Sequence, residues 1–164
     1  MAKQQSTIIH EYHLNLHQPR KLQFAIYDLR EYLEKHHANA SKPHIHSFYQ
    51  IIWFKAEKGK HFVDFKAYDV FENAIFFIAK NQVHYFDDNR NIEGVLIHFN
   101  ESFLVQKDTE VDYFLKYNLF NNPYQQPSCC IGGGIEEILD TYIQQIKAEL
   151  RTKGTFGQEE LLRS

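Results

Sequence analysis

Apolar and polar residues alternate along much of the first hundred positions. This alternation predicts short strands, because successive side chains of a strand point to opposite faces. The strand-like segments, which alternate in part and are continuously apolar elsewhere, are 8–16, 22–26, 45–54, 61–65, 68–71, 74–79, 83–86 and 92–99. Short strands so close together are typical of a β-sandwich or a β-barrel. The pattern ends at Phe99, so we expect the barrel to occupy residues 1–100.

Helical signals lie mainly after the strands. Asp28 is a suitable N-cap for a short helix over 29–36, which we expect to cover one end of the barrel. Asn100 is a candidate N-cap for a second helix, and a further helix is predicted over 109–119. A polar connector over 121–128 and three glycines at 132–134 precede the clearest helix of the chain. Residues 101–164 are therefore predicted to be a helical dimerisation and linker region.

The clearest helix carries one apolar stripe at helical spacing. Its residues are Ile135, Ile138, Leu139, Tyr142, Ile143, Ile146 and Leu150. Such a stripe either forms a dimer interface or packs against the barrel, and the spacing leaves both possibilities open. We take the interface as the hypothesis, so a homodimer is expected.

Composition and charge narrow the class of protein. Aromatic residues make up 15% of the chain, with 14 Phe and 10 Tyr, which favours a folded β-rich protein over disorder. The net charge of −3 and the dispersed Lys and Arg give no electrostatic footprint for nucleic acid. No apolar run is long enough for a signal peptide or a membrane span, so a cytoplasmic location without membrane contact is expected. The adjacent Cys129 and Cys130 are expected to be free thiols.

Candidate chemistry is concentrated in the segment from Pro43 to Gln50. Period-two spacing places His44, His46, Phe48 and Gln50 on one face of a strand, and an antiparallel strand could return His84 beside them. Two interpretations follow. The imidazoles and the amide are either polar anchors of a ligand pocket, or ligands of a divalent metal ion. We favour a pocket without a bound cofactor, because Gln50 brings no charge to offset a cation. Its predicted lining is His44, His46, Phe48, Gln50, Ile52, His84 and Phe86.

The spacing of His44, His46, Gln50 and His84 resembles that of the cupin superfamily, whose metal-binding members use two His, a Glu and a third His. Gln50 stands at the position of the carboxylate, and the segment before His84 lacks the Pro and Gly that metal cupins commonly have. The resemblance implies a mainly β fold, a cupin-like double-stranded β-helix (jelly-roll) barrel, followed here by C-terminal α-helices.

The segments from Pro43 to Phe54, 75–78, 82–84 and 96–101 together resemble the N-terminal domain of AraC-type transcription regulators. In that family an HxHxFYE/Q stretch opens the barrel, and an Asn-Glu-x-Phe segment, here Asn100 to Phe103, leads into the helices. The resemblance implies a domain that senses a sugar or another small effector and dimerises through its helices. DNA would be bound only by helix-turn-helix units that are absent from this chain.

The resulting hypothesis is an effector-sensing, non-enzymatic domain that controls an attached DNA-binding domain. Residues 157–164 start like an amphipathic helix and stop after about two turns, which suggests that the chain was cut from a longer polypeptide. The rival is a metal-dependent cupin enzyme, an isomerase or dioxygenase, with Fe, Mn or Zn held by His44, His46, Gln50 and His84. A free-standing cupin binding protein is a third alternative.

Overall fold

The structure is a computed structural model that describes residues 9–56, 59–88, 91–104, 118–120 and 127–152. Its strands, numbered in chain order, form two five-stranded sheets. The first sheet contains β1 (His10–Tyr12), β3 (His44–His46), β8 (His84–Phe86), β5 (Lys60–Val63) and β6 (Lys66–Asp69), in that spatial order. The second contains β10 (Ser128–Cys130), β7 (Ala74–Ile78), β4 (Tyr49–Phe54), β9 (Gly94–Phe99) and β2 (Phe24–Asp28). Among these pairs, only β1 with β3 is parallel.

One apolar core joins the two sheets, and alternate residues of both supply it. Ile52, Phe76 and Leu96 come from the second sheet, while Val63 and Phe86 come from the first. Each of the five is no more than 2% exposed, and burying such a side chain stabilises the fold by about 1.5–3 kcal/mol. The predicted mainly β architecture with a C-terminal helix is therefore confirmed. A closed jelly-roll barrel stays a prediction.

The chain changes sheets where the sequence pattern predicted one strand over 45–54. β3 ends at His46 in the first sheet, and β4 begins at Tyr49 in the second. The uninterrupted strand is therefore wrong, because alternation of side chains does not reveal where a strand bends from one sheet to the other. His44, His46, Phe48 and Gln50 are all nevertheless buried, at 3% exposure or less.

The helix α1 (Leu29–Ala40) closes one side of the core, as expected, and is four residues longer than the predicted 29–36. Asp28 caps it, since its carboxylate accepts a hydrogen bond of 3.1 Å from the backbone N–H of Glu31. Leu29 and Leu33 are fully buried against the sheets. Gly94 permits this packing, because a Cβ there would lie 2.1 Å from the backbone oxygen of Trp53 and 2.9 Å from Leu29 Cδ2.

Two features of the segment after the strands were not predicted. They are the side-chain hydrogen bonds of Asn100 and a tenth strand, β10. The helix α2 (Glu101–Leu104) begins directly after Asn100, whose side-chain amide donates to the backbone oxygen of Leu14 and to Gln23 Oε1, both at 2.6 Å. β10 (Ser128–Cys130) was not predicted, because its last two residues are the adjacent free cysteines and its first belongs to the polar connector. It pairs with β7, so the second sheet includes a strand from beyond residue 100.

The C-terminal helix α3 (Ile135–Thr152) divides the predicted apolar stripe into two parts. Leu139, Ile143, Ile146 and Leu150 pack against the outer face of the second sheet. The other part is exposed: Ile135 by 48%, Ile138 by 56% and Tyr142 by 57%. The sequence left open whether the stripe packs against the sheet. Such packing accounts for Leu139, Ile143, Ile146 and Leu150. The dimer hypothesis is left with the exposed part.

Some expectations fall on residues outside the described part of the chain. These are most of the helix over 109–119, most of the connector over 121–128 and all of the segment 157–164. Among the described helices, none is both long enough and apolar enough to cross a membrane.

Candidate functional site: a buried imidazole cluster beside a cavity

Three histidines of the first sheet converge in the interior. β3 and β8 are antiparallel neighbours with His44 opposite His84, and period-two spacing brings His46 to the same face. The ring nitrogens that these histidines offer all lie within 4.8 Å of one another. The sequence prediction that a returning strand places His84 beside His44 and His46 is thus confirmed.

Hydrogen bonds connect this His44–His46–His84 triad to a fourth imidazole. His46 Nε2 and His84 Nε2 are 2.7 Å apart, and His84 Nδ1 lies 3.1 Å from Nε2 of His61 on β5. His44 Nδ1 lies 2.7 Å from the backbone oxygen of Lys42. A carbonyl only accepts, so His44 carries its proton on Nδ1 and leaves the Nε2 lone pair free.

A fifth imidazole, His98 on β9, pairs with Gln50 on β4. The two residues are cross-strand partners, and Gln50 Nε2 lies 2.6 Å from His98 Nε2. As placed, the amide donates to the ring, which puts the His98 proton on Nδ1. Gln50 Oε1 is buried without a hydrogen-bond partner among the described residues. The contact of Gln50 is therefore with His98, where the sequence interpretation had grouped it with the three metal-ligand candidates.

Burial keeps all five rings neutral at neutral pH. Loss of hydration lowers the pKa of His61 and of His98 to about 3, with the neighbouring His44 adding a smaller contribution in both cases. Burial also lowers the pKa of His46 and His84 well below the usual value and lowers that of His44, where the bond to Lys42 opposes the shift. Neutral imidazoles supply lone pairs for metal ions and hydrogen bonds for uncharged ligands.

A cavity of about 240 Å³ opens beside the triad, between α1 and the sheets. One side is formed by Tyr12, His13, Leu14, His44, His46, Phe48 and His98. The other side is formed by α1, with Tyr32, His36, Asn39 and Ala40. At about 30 Å³ per water, the volume equals roughly eight water molecules. The lining combines aromatic faces with a few polar atoms, as small-molecule sites do.

The structure places only part of the predicted pocket at this cavity. His44, His46 and Phe48 line it, whereas His84 and Gln50 lie behind the lining, hydrogen-bonded to His46 and His98. Ile52 and Phe86 belong to the apolar core instead. Their placement in the lining was wrong, because alternation identifies the inner face of a strand but not which stretch of that face meets a cavity.

Sequence reasoning also missed residues that the fold brings to the site. His61 and His98 share the inward phase of their strands, so their spacing could have identified them. Tyr32, His36 and Asn39 lie on one face of α1 at helical spacing, and that signal was available once the helix was known to extend beyond residue 36. Tyr12 comes from β1, whose parallel pairing with β3 no local pattern indicates.

Comparison with known proteins adds no assignment. No protein-family model matches the chain, and no curated protein matches it.

Proposed function

We propose that this chain is a small-molecule-binding domain that senses an effector, of the kind found in AraC-type transcription regulators. The observation that carries the proposal is the cavity between α1 and the sheets, which is lined by imidazoles and aromatic rings. Its ligand contacts would come from His44, His46, Phe48 and His98 on the sheet side.

The chemistry of the lining favours an uncharged, polar ligand. Within the described residues, the lining contains no Asp, Glu, Lys or Arg side chain, so a charged ligand would be desolvated without a counter-ion. Burial raises the pKa of Tyr12 and Tyr32, so both hydroxyls stay protonated and can donate. A neutral sugar or polyol meets these conditions, because hydroxyl groups both donate and accept and a sugar ring can stack on an aromatic face.

The second sheet offers a route from the cavity to α3. Gln50 and His98 face the interior, while the adjacent Ile51 and Ile97 on the same two strands pack toward the outer face that α3 covers. A ligand that displaces His98 would therefore move strands on which α3 rests. Control of an attached DNA-binding domain further requires that the ligand bind one helix position more tightly than the other.

Thermal-shift measurements with sugars of similar size and different charge test the ligand site. A neutral hexose panel should raise the melting temperature, whereas the corresponding hexuronates and hexosamines should not, because only the native state offers the neutral cavity. His36→Ala and Asn39→Ala, both on the exposed surface of α1 at the cavity, should remove the shift. Glu34→Ala, on the same helix but outside the lining, is the matched control. A shift that survives both cavity variants, or one restricted to the hexuronates, would contradict the proposal.

The regulator part of the proposal has its own test. We expect the gene to continue in frame beyond codon 164 into about a hundred residues that encode two helix-turn-helix units, judged by the size of such units. A stop codon at that point would leave a binding domain without a DNA reader.

A metal-dependent enzyme is the second candidate, and the His44–His46–His84 triad favours it. Three neutral imidazoles suit Zn, Fe, Cu or Ni, and His44 and His46 also line the cavity, so a substrate there could reach the metal. A bound ion would act as a Lewis acid or activate water. The donor set fits such an ion without further protein groups. Elemental analysis of protein purified without chelators tests this candidate: one metal ion per chain supports it, and metal-free folded protein counts against it.

A further inference from the structure

His61 is fully buried and is not among the residues that line the cavity. Three aromatic rings surround it, with ring centroids 5.7 Å away for Phe54, 5.2 Å for Phe76 and 4.6 Å for Phe86. Its Nε2 has His84 Nδ1 as a hydrogen-bond partner at 3.1 Å, and its Nδ1 has none among the described residues. A polar ring in such apolar surroundings costs stability, so packing alone does not explain it.

We propose that His61 is a positioning residue for a divalent metal ion bound by His44, His46 and His84. In this role His61 Nε2 accepts a hydrogen bond from Nδ1–H of His84, which keeps the His84 Nε2 lone pair directed at the ion. The inference rests on the metal-binding candidate function above and extends it to a residue that does not touch the ion. Metal-ligating histidines generally donate their second ring N–H to an acceptor that fixes the ring and its tautomer.

His44 shows the same arrangement with a different acceptor. Its Nδ1–H donates to the backbone oxygen of Lys42 at 2.7 Å, which leaves Nε2 as the free nitrogen. The triad thus has two members whose Nδ1 is engaged from behind, one by a carbonyl and one by His61. His46 differs, since its Nδ1 is buried with no hydrogen-bond partner among the residues that the structure describes and its Nε2 faces His84 at 2.7 Å.

The two N···N distances fit proton donation in either direction along the His46–His84–His61 chain, and the proposed role corresponds to one of them. In that direction, and without metal, His46 Nε2–H donates to the His84 Nε2 lone pair, His84 Nδ1–H donates to His61 Nε2, and the His61 proton is on Nδ1. A bound ion would take both facing Nε2 lone pairs, so the His46 proton would be held on Nδ1 of the same ring. His84 and His61 keep their tautomers, and no proton is released overall.

Titration of the full chain with Co²⁺ tests the inference, because the visible absorption of Co²⁺ reports its ligand geometry. We expect the unmodified chain to bind one Co²⁺. His61→Phe should weaken binding about 10- to 100-fold and change the spectrum, as loss of a hydrogen bond to a ligating histidine does. His61→Gln should restore most of the affinity, since its amide oxygen can accept from His84 Nδ1–H. Phe54→Leu, which alters the packing around His61 but keeps its ring, should leave affinity and spectrum unchanged.

Nitrogen-15 NMR of the histidine rings in the Zn²⁺-loaded, unmodified chain provides a test that needs no variant. We expect a protonated Nδ1 and a metal-bound Nε2 on His84, and an unprotonated Nε2 on His61. A proton on His61 Nε2, or equal Co²⁺ affinity and spectra for His61→Phe and the unmodified chain, would overturn the role of His61 while leaving the metal site intact. Failure of the unmodified chain to bind Co²⁺ or Zn²⁺ would overturn the metal site and this inference together.

Discussion

The two faces of the second sheet are covered in different ways. On the outer face, Trp53, Ile75 and Val95 meet Ile143 of α3 in a contact that is apolar throughout. On the inner face, Ile52 and Phe76 give way along the strands to Gln50 and His98, which are as deeply buried but polar. Alternation within the same strands produces both faces. One face is closed by complementary shape, and the other includes polar groups beside a cavity.

The apolar outer face therefore contributes to stability, whereas the polar groups of the inner face are the ones that could act on a ligand. Apolar contacts on the outer face need only volume and burial, and among the described residues they hold α3 together with the ion pair of Lys55 with Asp140. The imidazoles of the interior require hydrogen bonds, and His46, Gln50 and His61 each keep a buried polar atom that has no partner in the described part of the chain. Buried polar atoms of this kind are costly to stability, and functional sites are where such costs are commonly found.

Acid should destabilise the chain through the inner face, and the loss summed over its buried histidines, which include His46 and His84, is the largest effect that we expect. For His61 and His98 the pKa is about 3 in the fold and about 6.5 when unfolded, so the unfolded state binds more protons between those values. Stability is therefore complete above pH 6.5 and is lost as the pH falls. At pH 5 the loss is about 2 kcal/mol for each of these two histidines. Urea unfolding at pH 7.5, 6 and 5 measures it.

His98→Phe provides the control for the pH effect. The variant should lose stability at pH 7.5 because Gln50 loses its partner, yet its stability should fall less steeply between pH 6.5 and 5. An unchanged slope would mean that His98 is protonated in the fold and that the inner face is less dry than its burial indicates.

Removing a large ring from the apolar part of the inner face should have the next largest effect. Phe76 is fully buried and contacts the rings of Phe54, His61 and Tyr68. Phe76→Ala should lower the free energy of unfolding by about 3–5 kcal/mol, because the cavity left behind adds to the lost burial. Phe71→Ala, at a ring that is 51% exposed, should cost less than about 0.5 kcal/mol. Similar costs for the two variants would refute the assignment of Phe76 to the core.

Much of this architecture could be predicted from the sequence, for a physical reason. Alternation is a local property, so the common inward direction of His44, His46 and Gln50 follows from their period-two spacing. The same is true of α1, whose N-cap and apolar face are local features. The antiparallel pairing that places His84 beside His44 was also expected, although four strands separate β3 from β8 along the chain.

The rest depends on contacts that no local pattern contains. β1 pairs in parallel with β3 across more than thirty residues, and this pairing brings Tyr12 to the cavity. The bend at Ser47 moves the chain into the second sheet, so Gln50 meets His98 of β9, a partner 48 positions away. Which inward residues line a cavity and which fill a core depends on the position of α1. Ile52 and Phe86 were misplaced for that reason.

Cutting back an apolar contact on the outer face should have an intermediate effect. Ile143 is 7% exposed and packs on Trp53, Ile75 and Val95. Ile143→Ala should cost about 2–4 kcal/mol, within the usual range for a buried Ile cut to Ala. Unlike the stability lost in acid, the loss caused by this substitution should be the same at pH 7.5 and pH 6, because no titrating group is involved. A pH-dependent cost would show that the two faces of the sheet are energetically coupled.

The smallest effect on stability is expected at the part of α3 that the sheet leaves uncovered. Ile138 and Tyr142 are both more than half exposed, so Ile138→Ser with Tyr142→Ser should change the free energy of unfolding by less than about 1 kcal/mol. If the dimer hypothesis holds for this face, the double variant should dissociate at concentrations where the unmodified chain is dimeric, because exposed apolar residues that are buried between copies drive association. Light scattering across micromolar concentrations measures this. A monomer before and after the substitution would refute the dimer, whereas a dimer in both cases would place its interface elsewhere.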